Sequence, residues 1–548
     1  MKEKINTKRL YNTYYGFETC QVVYPLKLRK RRYVSRTAIA IGVIAVVLIA
    51  AIYIDYFQRT TPPLPKNVYS VVVSFQTGIN SYAIPSPFFG VGGIGNPGLG
   101  SNPKVISALT EAGFGWTRLE ASLNLIFPQS ANNPEFSNLD YALHKAMDAG
   151  IRNIILLIDY TPTWLANQSD YPCRSVSHYP PSNFTEWGEL AAEVAKHVQS
   201  NFHFDSIYYE IWNEPDASIF LCTPPHVRES TYFNIFHYAA KAILSEAYAT
   251  NIAVGGPVLA NPVRDIQMIY DFVHNPQTAP YVGFVSYHQY TISGLPDSWD
   301  NENSVYHQMQ NSSSGYAAIY EKIAKIVHSG AQPNASSTPI FISEFNTNTV
   351  GGDCCGNSPI YAPLFNALFV VDLLNSVYSQ SGDHSIVRGF TYFTLSSPVT
   401  GACMFGSWDT AMDCAVLKSP APKPYPSFYP YLLIGGKNYL DLQDANYLAT
   451  SVNSSLLNVW VLAFSTASGK SILLVNAGSI TYSQVMILVK QSVSTSVSRA
   501  NVYDLVASTT NDSFQISNIP VYSQANLIYV ENITLPAYTI VGITIPLG

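Results

Sequence analysis

From about residue 85 to residue 398, short apolar runs alternate with amphipathic helical segments. Eight of these runs have the length and composition of strands that are covered on both faces. They are Phe88–Gly92, Trp116–Glu120, Ile154–Asp159, Ile207–Ile211, Ile252–Gly256, Gly283–Tyr287, Pro339–Ser343 and Gly389–Thr394. Helical spacing of apolar residues fills most gaps, as in Asn138–Gly150 and Glu186–Ser200. Eight strand–helix units predict an α/β fold, a (β/α)8 TIM barrel over residues 85–418.

After about residue 419 the helical periodicity fades, and short β-branched or alternating runs are separated by turn residues. The clearest runs are Leu457–Phe464, Ser471–Val475, Ser483–Val489, Asn526–Val530 and Tyr538–Ile545. This pattern predicts an all-β sandwich domain over residues 419–548. The strand-like Tyr69–Phe75 precedes the barrel, within residues 58–84, and is a candidate to pair into that sandwich.

The N-terminal part predicts a membrane anchor. Residues 37–54 are 18 residues without a charge, and a helix extended to 57 is long enough to span a bilayer. Residues 1–36 carry ten Lys/Arg against two acidic residues, so the positive-inside rule places this basic segment in the cytoplasm and the later domains outside the cell. The Pro-rich stretch 61–66 then forms a stalk. A cleaved signal peptide is the alternative, which the long leader disfavours.

Charge and cysteine content bear on partners and compartment. The net charge is −6, and no basic stretch lies outside the N-terminus, so a nucleic-acid partner is not expected. Six of the seven cysteines and all seven N-x-S/T sequons lie on the predicted outer side, which suits disulfides and glycans. The cysteines are Cys173, Cys222, Cys354, Cys355, Cys403 and Cys414, and the sequon asparagines are Asn167, Asn183, Asn311, Asn334, Asn453, Asn511 and Asn532.

We expect a Cys173–Cys222 bridge between neighbouring loops. Cys354 and Cys355 are each expected to bond to one of Cys403 and Cys414, since adjacent cysteines rarely bond to each other. A zinc site made of those last four residues is the alternative, but their spacing does not support it.

Two carboxylates follow predicted barrel strands. Glu214 ends the run Tyr209-Glu210-Ile211-Trp212-Asn213-Glu214, and Glu344 follows Phe341-Ile342-Ser343. The carboxyl ends of barrel strands form the active face, and apolar neighbours tend to raise a carboxyl pKa. Two carboxylates across a cleft can hydrolyse a glycosidic bond with retention, one as acid/base and the other as nucleophile.

These residues resemble the signatures of clan A glycoside hydrolases, and the longer match is most similar to family 39, which includes β-xylosidases and α-L-iduronidases. The similar segments lie within roughly residues 85–400. They are Trp212-Asn213-Glu214-Pro215, Ser343-Glu344-Phe345-Asn346, Trp116-Thr117-Arg118-Leu119-Glu120, Thr161-Pro162-Thr163-Trp164-Leu165 and His288-Gln289-Tyr290.

The resemblance implies roles for individual residues. Glu214 would be the acid/base and Glu344 the nucleophile of a retaining enzyme that cleaves β-type O-glycosidic bonds. Asn213 would bind the sugar 2-hydroxyl, and Arg118 would keep Glu344 ionised. The remaining predicted substrate-binding residues are His288, Tyr290 and Trp164. The substrate would be a carbohydrate, and no metal or organic cofactor is implied.

Some points stay open at this stage. Many clan members have a Trp at the end of the eighth strand, where this chain offers Tyr392 or Phe393. Glu120 and Asp159 also end strands and either contact sugar or cap loops. A non-catalytic carbohydrate-binding protein and a structural cell-envelope protein are the alternatives to an enzyme. The identity of the sugar lies in loop residues that the pattern does not locate.

Overall fold

The computed structural model describes residues 69–74, 83–94, 102–247, 250–292, 319–348, 361–379, 387–395, 405–406, 423–424, 426–452, 456–490, 498–505, 515–524 and 527–546. The predicted cytoplasmic segment 1–36, the predicted membrane helix 37–57, the stalk 61–66 and the cysteines Cys354, Cys355, Cys403 and Cys414 lie outside these residues. Among the residues that are described, no helix combines the length and the apolar character needed to cross a bilayer.

The first described strand, β1 (Ser70–Ser74), belongs to the C-terminal domain. The next eight strands form the predicted TIM barrel. They are β2 (Phe89–Gly92), β3 (Phe114–Ser122), β4 (Asn153–Asp159), β5 (Ser206–Ile211), β6 (Ile252–Leu259), β7 (Phe284–Ile292), β8 (Ile340–Asn348) and β9 (Val387–Tyr392). All neighbours pair in parallel and in chain order, and β9 closes the barrel on β2. The prediction of a (β/α)8 barrel is confirmed.

Helices cover the outside of this barrel. They are α1 (Pro103–Glu111), α2 (Leu123–Ile126), α3 (Ser137–Asp148), α4 (Phe184–Asn201), α5 (Pro225–Glu246), α6 (Ile266–His274) and α7 (Tyr361–Ser379), with residues 319–328 also helical and 3-10 turns at Val176–His178, Ala279–Tyr281 and Ala335–Ser337. The Asn183 side chain accepts from the backbone N–H groups of Thr185 and Glu186 and so begins α4. Gly150, in the left-handed region at φ 76°, follows the end of α3, as predicted.

The barrel interior changes from apolar to polar along its axis. At one level Trp116, Ile155, Phe284 and Phe341 pack together and fill the interior. Since side chains alternate along a strand, the residue two positions after Trp116, Arg118, also points inward. It lies closer to the carboxyl ends of the strands, which is the side on which barrels hold their active sites. The apolar layer therefore forms the floor beneath a polar layer.

The C-terminal domain closes into a barrel of its own, where the sequence predicts a sandwich. Its strands follow the order β1, β12, β13, β14, β19, β16, β17, β18, β15 and return to β1. The bounds are β12 (Asn446–Val452), β13 (Val459–Ser465), β14 (Gly469–Asn476), β15 (Tyr482–Lys490), β16 (Arg499–Leu505), β17 (Gln515–Gln524), β18 (Leu527–Leu535) and β19 (Thr539–Pro546). A short hairpin, β10 (Phe405–Gly406) with β11 (Lys423–Pro424), and a 3-10 turn, Pro426–Phe428, precede it.

The barrel closes because each of its nine strands pairs on both edges, and two places where this happens are β1 and β17. The strand β1 is antiparallel to β12 and parallel to β15, and β17 pairs with both β16 and β18. These pairings remove the free strand edges that an open sandwich would leave. The early strand Ser70–Ser74 is thus an integral part of the C-terminal domain.

The two barrels contact each other through α7 and a further helix, α8 (Tyr429–Gly435). The Asn375 side chain donates to the carbonyl of Val461 at 3.1 Å. The ring of Tyr431 packs edge-on against Phe89 at 5.3 Å, beneath the TIM barrel. These contacts fix the C-terminal barrel to the TIM barrel and its helical shell.

Candidate active site

Glu214 lies on a tight turn directly after β5. Trp212 and Glu214 both have left-handed backbone conformations, with φ of 67° and 46°. Such conformations cost free energy in residues other than glycine and persist only where the surroundings hold them. Here the backbone N–H of Trp212 donates to the carbonyl of Ile158, and that of Glu214 donates to the carbonyl of Val258. Bonds to both neighbouring strands therefore fix the direction of the Glu214 carboxyl group.

Glu344 reaches the interior because β8 contains a bulge. Phe341 points into the barrel, so simple alternation would also place Ser343 and Phe345 inside and turn Glu344 toward the helices. The pairing with β7 shifts by one residue after Ile342, however. Phe345 then stacks on Phe369 of α7 outside the barrel, with ring centroids 3.6 Å apart. The extra residue re-aims Glu344 into the polar layer, a recognised use of bulges beside active sites.

Arg118 on β3 connects the parts of the site. Its Nη1 donates to Oε1 of Glu344 at 2.7 Å, its Nε to Oε2 of Glu210 at 2.6 Å, and its Nη2 to Oδ1 of Asn213 at 3.1 Å. All four residues are buried. The planar guanidinium can bind two carboxylates in fixed directions, which a lysine ammonium cannot do. Arg118 thereby orients the nucleophile candidate and the amide before Glu214 with one side chain.

His288 and Tyr290, two residues apart on β7, lie against the carboxylates. The His288 Nδ1 atom is 2.7 Å from Oε1 of Glu214 and 3.4 Å from Oε2 of Glu344. The Tyr290 hydroxyl donates to Oε2 of Glu344 at 2.5 Å. Both Glu344 oxygens therefore accept hydrogen bonds, one from Arg118 and one from Tyr290.

The separation of the two carboxylates suits retention. A carboxylate oxygen of Glu214, one of Glu344 and a ring nitrogen of His288 all lie within 4.8 Å of one another. Retaining glycosidases hold their carboxyl groups about 5–5.5 Å apart, while inverting ones need about 6.5–9.5 Å to admit a water. These donor types can also hold a metal ion, but Nη1 of Arg118 lies 2.7 Å from Oε1 of Glu344 and already balances its charge. The geometry therefore favours acid–base and nucleophilic chemistry.

The electrostatics keep Glu344 ionised. Burial by itself would raise the pKa of Glu344, but the charges of His288 and Arg118 and the hydrogen bonds from Tyr290 and Arg118 outweigh it, and the pKa lies below its usual value. The tendency of apolar neighbours to raise the pKa is therefore outweighed at Glu344. The charge of Arg118, which the resemblance implies keeps Glu344 ionised, acts together with that of His288.

The pKa values of the groups around Glu344 shift in directions that agree with an ionised Glu344. Burial would lower the pKa of His288, yet the carboxylates of Glu344 and Glu214 raise it overall. The pKa of Arg118 is raised by Glu210 and Glu344 in spite of burial. Burial, and then the charge of Glu344, raise the pKa of Tyr290 well above its usual value. Tyr290 therefore stays protonated and remains a hydrogen-bond donor to the nucleophile.

Comparison with known proteins agrees with this site. The sequence profile of "Glycosyl hydrolases family 39" matches residues 124–403, slightly more than half of the chain. The chain belongs to glycosyl hydrolase family 39. The matched residues include Glu214, His288 and Glu344.

Two kinds of relative accompany this family assignment. A β-xylosidase of Caldicellulosiruptor saccharolyticus is 25% identical over 279 residues, which are 48% of this chain and 52% of that protein, so the chain spans about half the length of this curated relative. Among solved structures, a GH39 enzyme from Xanthomonas axonopodis pv. citri has a TM-score of 0.58 at 14% identity, covering 89% of this chain and 100% of that one. A monomeric β-xylosidase from Caulobacter crescentus has a TM-score of 0.57 at 16% identity, covering 88% and 100%. These structural matches show a shared fold.

Two aromatic positions of this family 39 chain differ in their exposure. Trp164 is 36% exposed and donates through Nε1 to the carbonyl of Phe127, and its role in substrate binding stays a prediction. At the end of β9, Tyr392 is buried in the outer core beside Phe345 and Tyr431. Phe393, one residue further along, is half-buried at the carboxyl end of the strand. Of the two candidates for the missing Trp, Phe393 is the residue on the cleft side.

Sequence reasoning missed two residues of the site. Glu210 is fully buried inside the barrel and receives the Nε bond of Arg118. Its position two residues after Tyr208, which packs against Trp116 in the barrel interior, is the signal that identifies it. Tyr160 follows β4 with φ 56°, and its pKa is raised by burial and then by four nearby carboxyl groups, among them Glu214 and Glu344. No sequence signal separates Tyr160 from the many other tyrosines.

The predicted disulfide Cys173–Cys222 is confirmed. It joins the loop after β4 to the loop after β5, with Cα atoms 5.4 Å apart. The backbone N–H of Cys222 also donates to the carbonyl of His178 at 2.9 Å. The loop that carries Glu214 is therefore fixed to its neighbour by a covalent bond and a hydrogen bond.

Proposed function

We propose that the chain is a retaining glycoside hydrolase that cleaves β-type O-glycosidic bonds through a covalent glycosyl-enzyme. The observation that carries this proposal is the pair Glu214 and Glu344, held within 4.8 Å of each other around His288, with Glu344 kept ionised by Arg118 and Tyr290. A protein that only binds carbohydrate has no need for an ionised carboxylate aimed beside a second carboxyl group. Membership of family 39 supports the same reaction.

In the first step, Glu214 gives its proton to the leaving oxygen while a Glu344 oxygen attacks the anomeric carbon. Asn213, whose Oδ1 accepts from Arg118, has its Nδ2 group left to donate to the sugar 2-hydroxyl. In the second step, the Glu214 carboxylate takes a proton from water, which attacks the same carbon and releases Glu344. His288 stays hydrogen-bonded to Glu214 and holds the carboxyl group in place between the steps.

β-Xylosides are the first substrates to test. The curated relative that is 25% identical is a β-xylosidase, and so is one of the structural neighbours. Phe393, rather than a Trp, stands at the end of β9. A smaller aromatic surface suits a pentose that has no C6 group to stack. We therefore rank aryl β-xylosides ahead of aryl β-glucosides.

The test uses Glu214→Ala and Glu344→Ala with an aryl β-xyloside. Both variants should lose at least about 1,000-fold in kcat/KM, because each removes a group that acts in the transition state. Azide should give different products in the two variants. In Glu214→Ala it attacks the glycosyl-enzyme, releases Glu344 and forms a β-glycosyl azide, whereas in Glu344→Ala it takes the place of the missing nucleophile, displaces the phenol in one step and forms an α-glycosyl azide. Unchanged activity in both variants would contradict the proposal. The control is Glu193→Gln, an exposed residue on α4.

We propose further that residues 37–57 anchor the chain in a membrane, with residues 1–36 cytoplasmic and the catalytic domain extracellular. The Cys173–Cys222 disulfide supports an oxidising compartment. Four sequon asparagines within the described residues are exposed, which glycosylation requires; they are Asn167, Asn183, Asn334 and Asn532. Protease added to intact cells should remove the catalytic domain, and a chain starting at residue 58 should leave the membrane fraction. A protected catalytic domain would contradict this orientation.

A further inference from the structure

Glu120 is an acidic side chain of the cleft to which the reaction above gives no role. It lies on β3, two residues beyond Arg118 and four beyond Trp116, and so on the same inward row. Unlike Arg118, it is exposed to solvent. Among the described residues its carboxylate has no hydrogen-bond partner. Glu120 therefore stands at the solvent-exposed end of the polar interior, and no described residue uses its hydrogen-bonding capacity.

A second observation comes from the next strand. Asp159 ends β4 and is only 1% exposed, and within the described part of the chain neither of its carboxylate oxygens has a hydrogen-bond partner. Burial, and then the charge of Glu120, raise the pKa of Asp159 well above its usual value. Buried polar groups normally have hydrogen-bond partners. A buried carboxyl group without one, beside the catalytic residues, therefore indicates a surface that binds a polar ligand.

The charge of the site restricts what that ligand can be. Five carboxyl groups gather here, namely Glu120, Asp159, Glu210, Glu214 and Glu344, against the cations Arg118 and His288. Arg118 is engaged with Glu210, Asn213 and Glu344. Nearby on the loop after β6, Arg264 pairs with Asp265 and Asp216.

We propose that Glu120 is a sugar-binding residue that makes the site selective for neutral sugars. Its two carboxylate oxygens accept hydrogen bonds from neighbouring hydroxyl groups of the sugar beside Glu344, and its charge repels the carboxylate of a uronic acid. This inference rests on the proposed glycosidase function and adds the substrate class. Asp159 lies behind Glu120 on the neighbouring strand and affects sugar binding only through Glu120.

The experiment compares a matched pair of substrates, an aryl β-glucoside and the corresponding β-glucuronide, which differ only at C6, together with the β-xyloside. The wild type should prefer the neutral sugars by at least about 100-fold, since like charges brought together in a site are strongly unfavourable. Glu120→Gln keeps the size and removes the charge. It should raise KM for neutral sugars by about 10- to 100-fold, the loss expected for hydrogen bonds to a charged group. It should also reduce the ratio of kcat/KM for the glucoside to kcat/KM for the glucuronide.

Each result has a distinct meaning. If Glu120→Gln matches the wild type on both substrates, or if the wild type prefers the glucuronide, the selectivity proposal is overturned and the glycosidase function stands. A wild type that cleaves none of the three glycosides overturns both proposals. Glu193→Gln serves as the matched control and should leave both the KM values and the substrate preference unchanged. Because Glu120 is exposed, circular dichroism and the unfolding midpoint should show an intact fold in Glu120→Gln.

Discussion

The hydrogen bond from Tyr290 to Glu344 gives a sharp test of the two-step reaction. In Tyr290→Phe the ring remains and only the hydroxyl that lies 2.5 Å from Glu344 Oε2 is lost. A hydrogen bond to a charged group contributes about 1.5–3 kcal/mol. The second step expels Glu344 as a carboxylate, so this bond stabilises the leaving group. Its loss should slow that step about 10- to 150-fold.

The assay is pre-steady-state hydrolysis of a dinitrophenyl β-glycoside, whose first step is fast. Tyr290→Phe should show a burst of one equivalent of phenol, a lower kcat and a lower KM, because the covalent intermediate accumulates. The hydrogen bond from Tyr290 lowers the pKa of Glu344, so its loss should move the acid limb of kcat/KM to higher pH. An unchanged kcat without a burst would refute the reasoning. The control Tyr270→Phe alters an exposed ring on α6.

Three further predictions concern the framework of the site. Arg118→Lys keeps the positive charge but loses the planar guanidinium. The value of kcat/KM should fall roughly 100-fold while the circular dichroism spectrum stays native. A fully active variant would contradict the role given to the guanidinium. Replacing both Cys173 and Cys222 by serine opens a bridge across 49 residues and should lower the free energy of unfolding by about 4 kcal/mol in chemical denaturation, whereas an unchanged value would mean that the bridge constrains little. His288 has a raised pKa, so the stability that its charge contributes is complete below its ordinary pKa and is lost as pH rises through the raised one. As pH rises from the ordinary to the raised pKa of His288, the unfolding midpoint of the wild type should therefore fall relative to that of His288→Gln. A difference between the two midpoints that does not change with pH would contradict the raised pKa.

The order of elements in the TIM barrel was predictable because parallel strands covered on both faces are short apolar runs. Each of the eight predicted runs coincides with an observed strand. The strand ends were less accurate. The strand β7 continues to Ile292 and β8 to Asn348, because pairing between neighbouring strands extends through the polar site residues. A strand predicted from apolar residues ends at the first polar residues, whereas backbone pairing between strands continues through them.

The composition of the site was predictable in part, since Arg118, Asn213, Glu214, His288, Tyr290 and Glu344 all meet at one end of the barrel. Their geometry was not. The one-residue shift at Ser343 that turns Glu344 inward depends on pairing between β7 and β8, and no residue type in the sequence signals it. The lowered pKa of Glu344 depends on Arg118, whose role the resemblance implies, and also on the charge of His288, which no pattern in the sequence indicates.

In the C-terminal domain the alternating runs predicted β structure but not closure. Closure depends on β1, which lies more than 370 residues before β12 in the chain and bridges β12 to β15. It also depends on β16 and β17, whose weaker alternation did not stand out as strands. Pairing between segments so distant in sequence is decided by tertiary packing rather than by local pattern.

The stereochemistry of the first-formed sugar tests the central claim most directly. Proton NMR during cleavage of an aryl β-xyloside follows the anomeric signal before mutarotation mixes the two forms. With Glu214 and Glu344 within 4.8 Å of each other, the β-anomer should appear first. Initial appearance of the α-anomer would mean inversion and would contradict the assignment of Glu344 as a nucleophile.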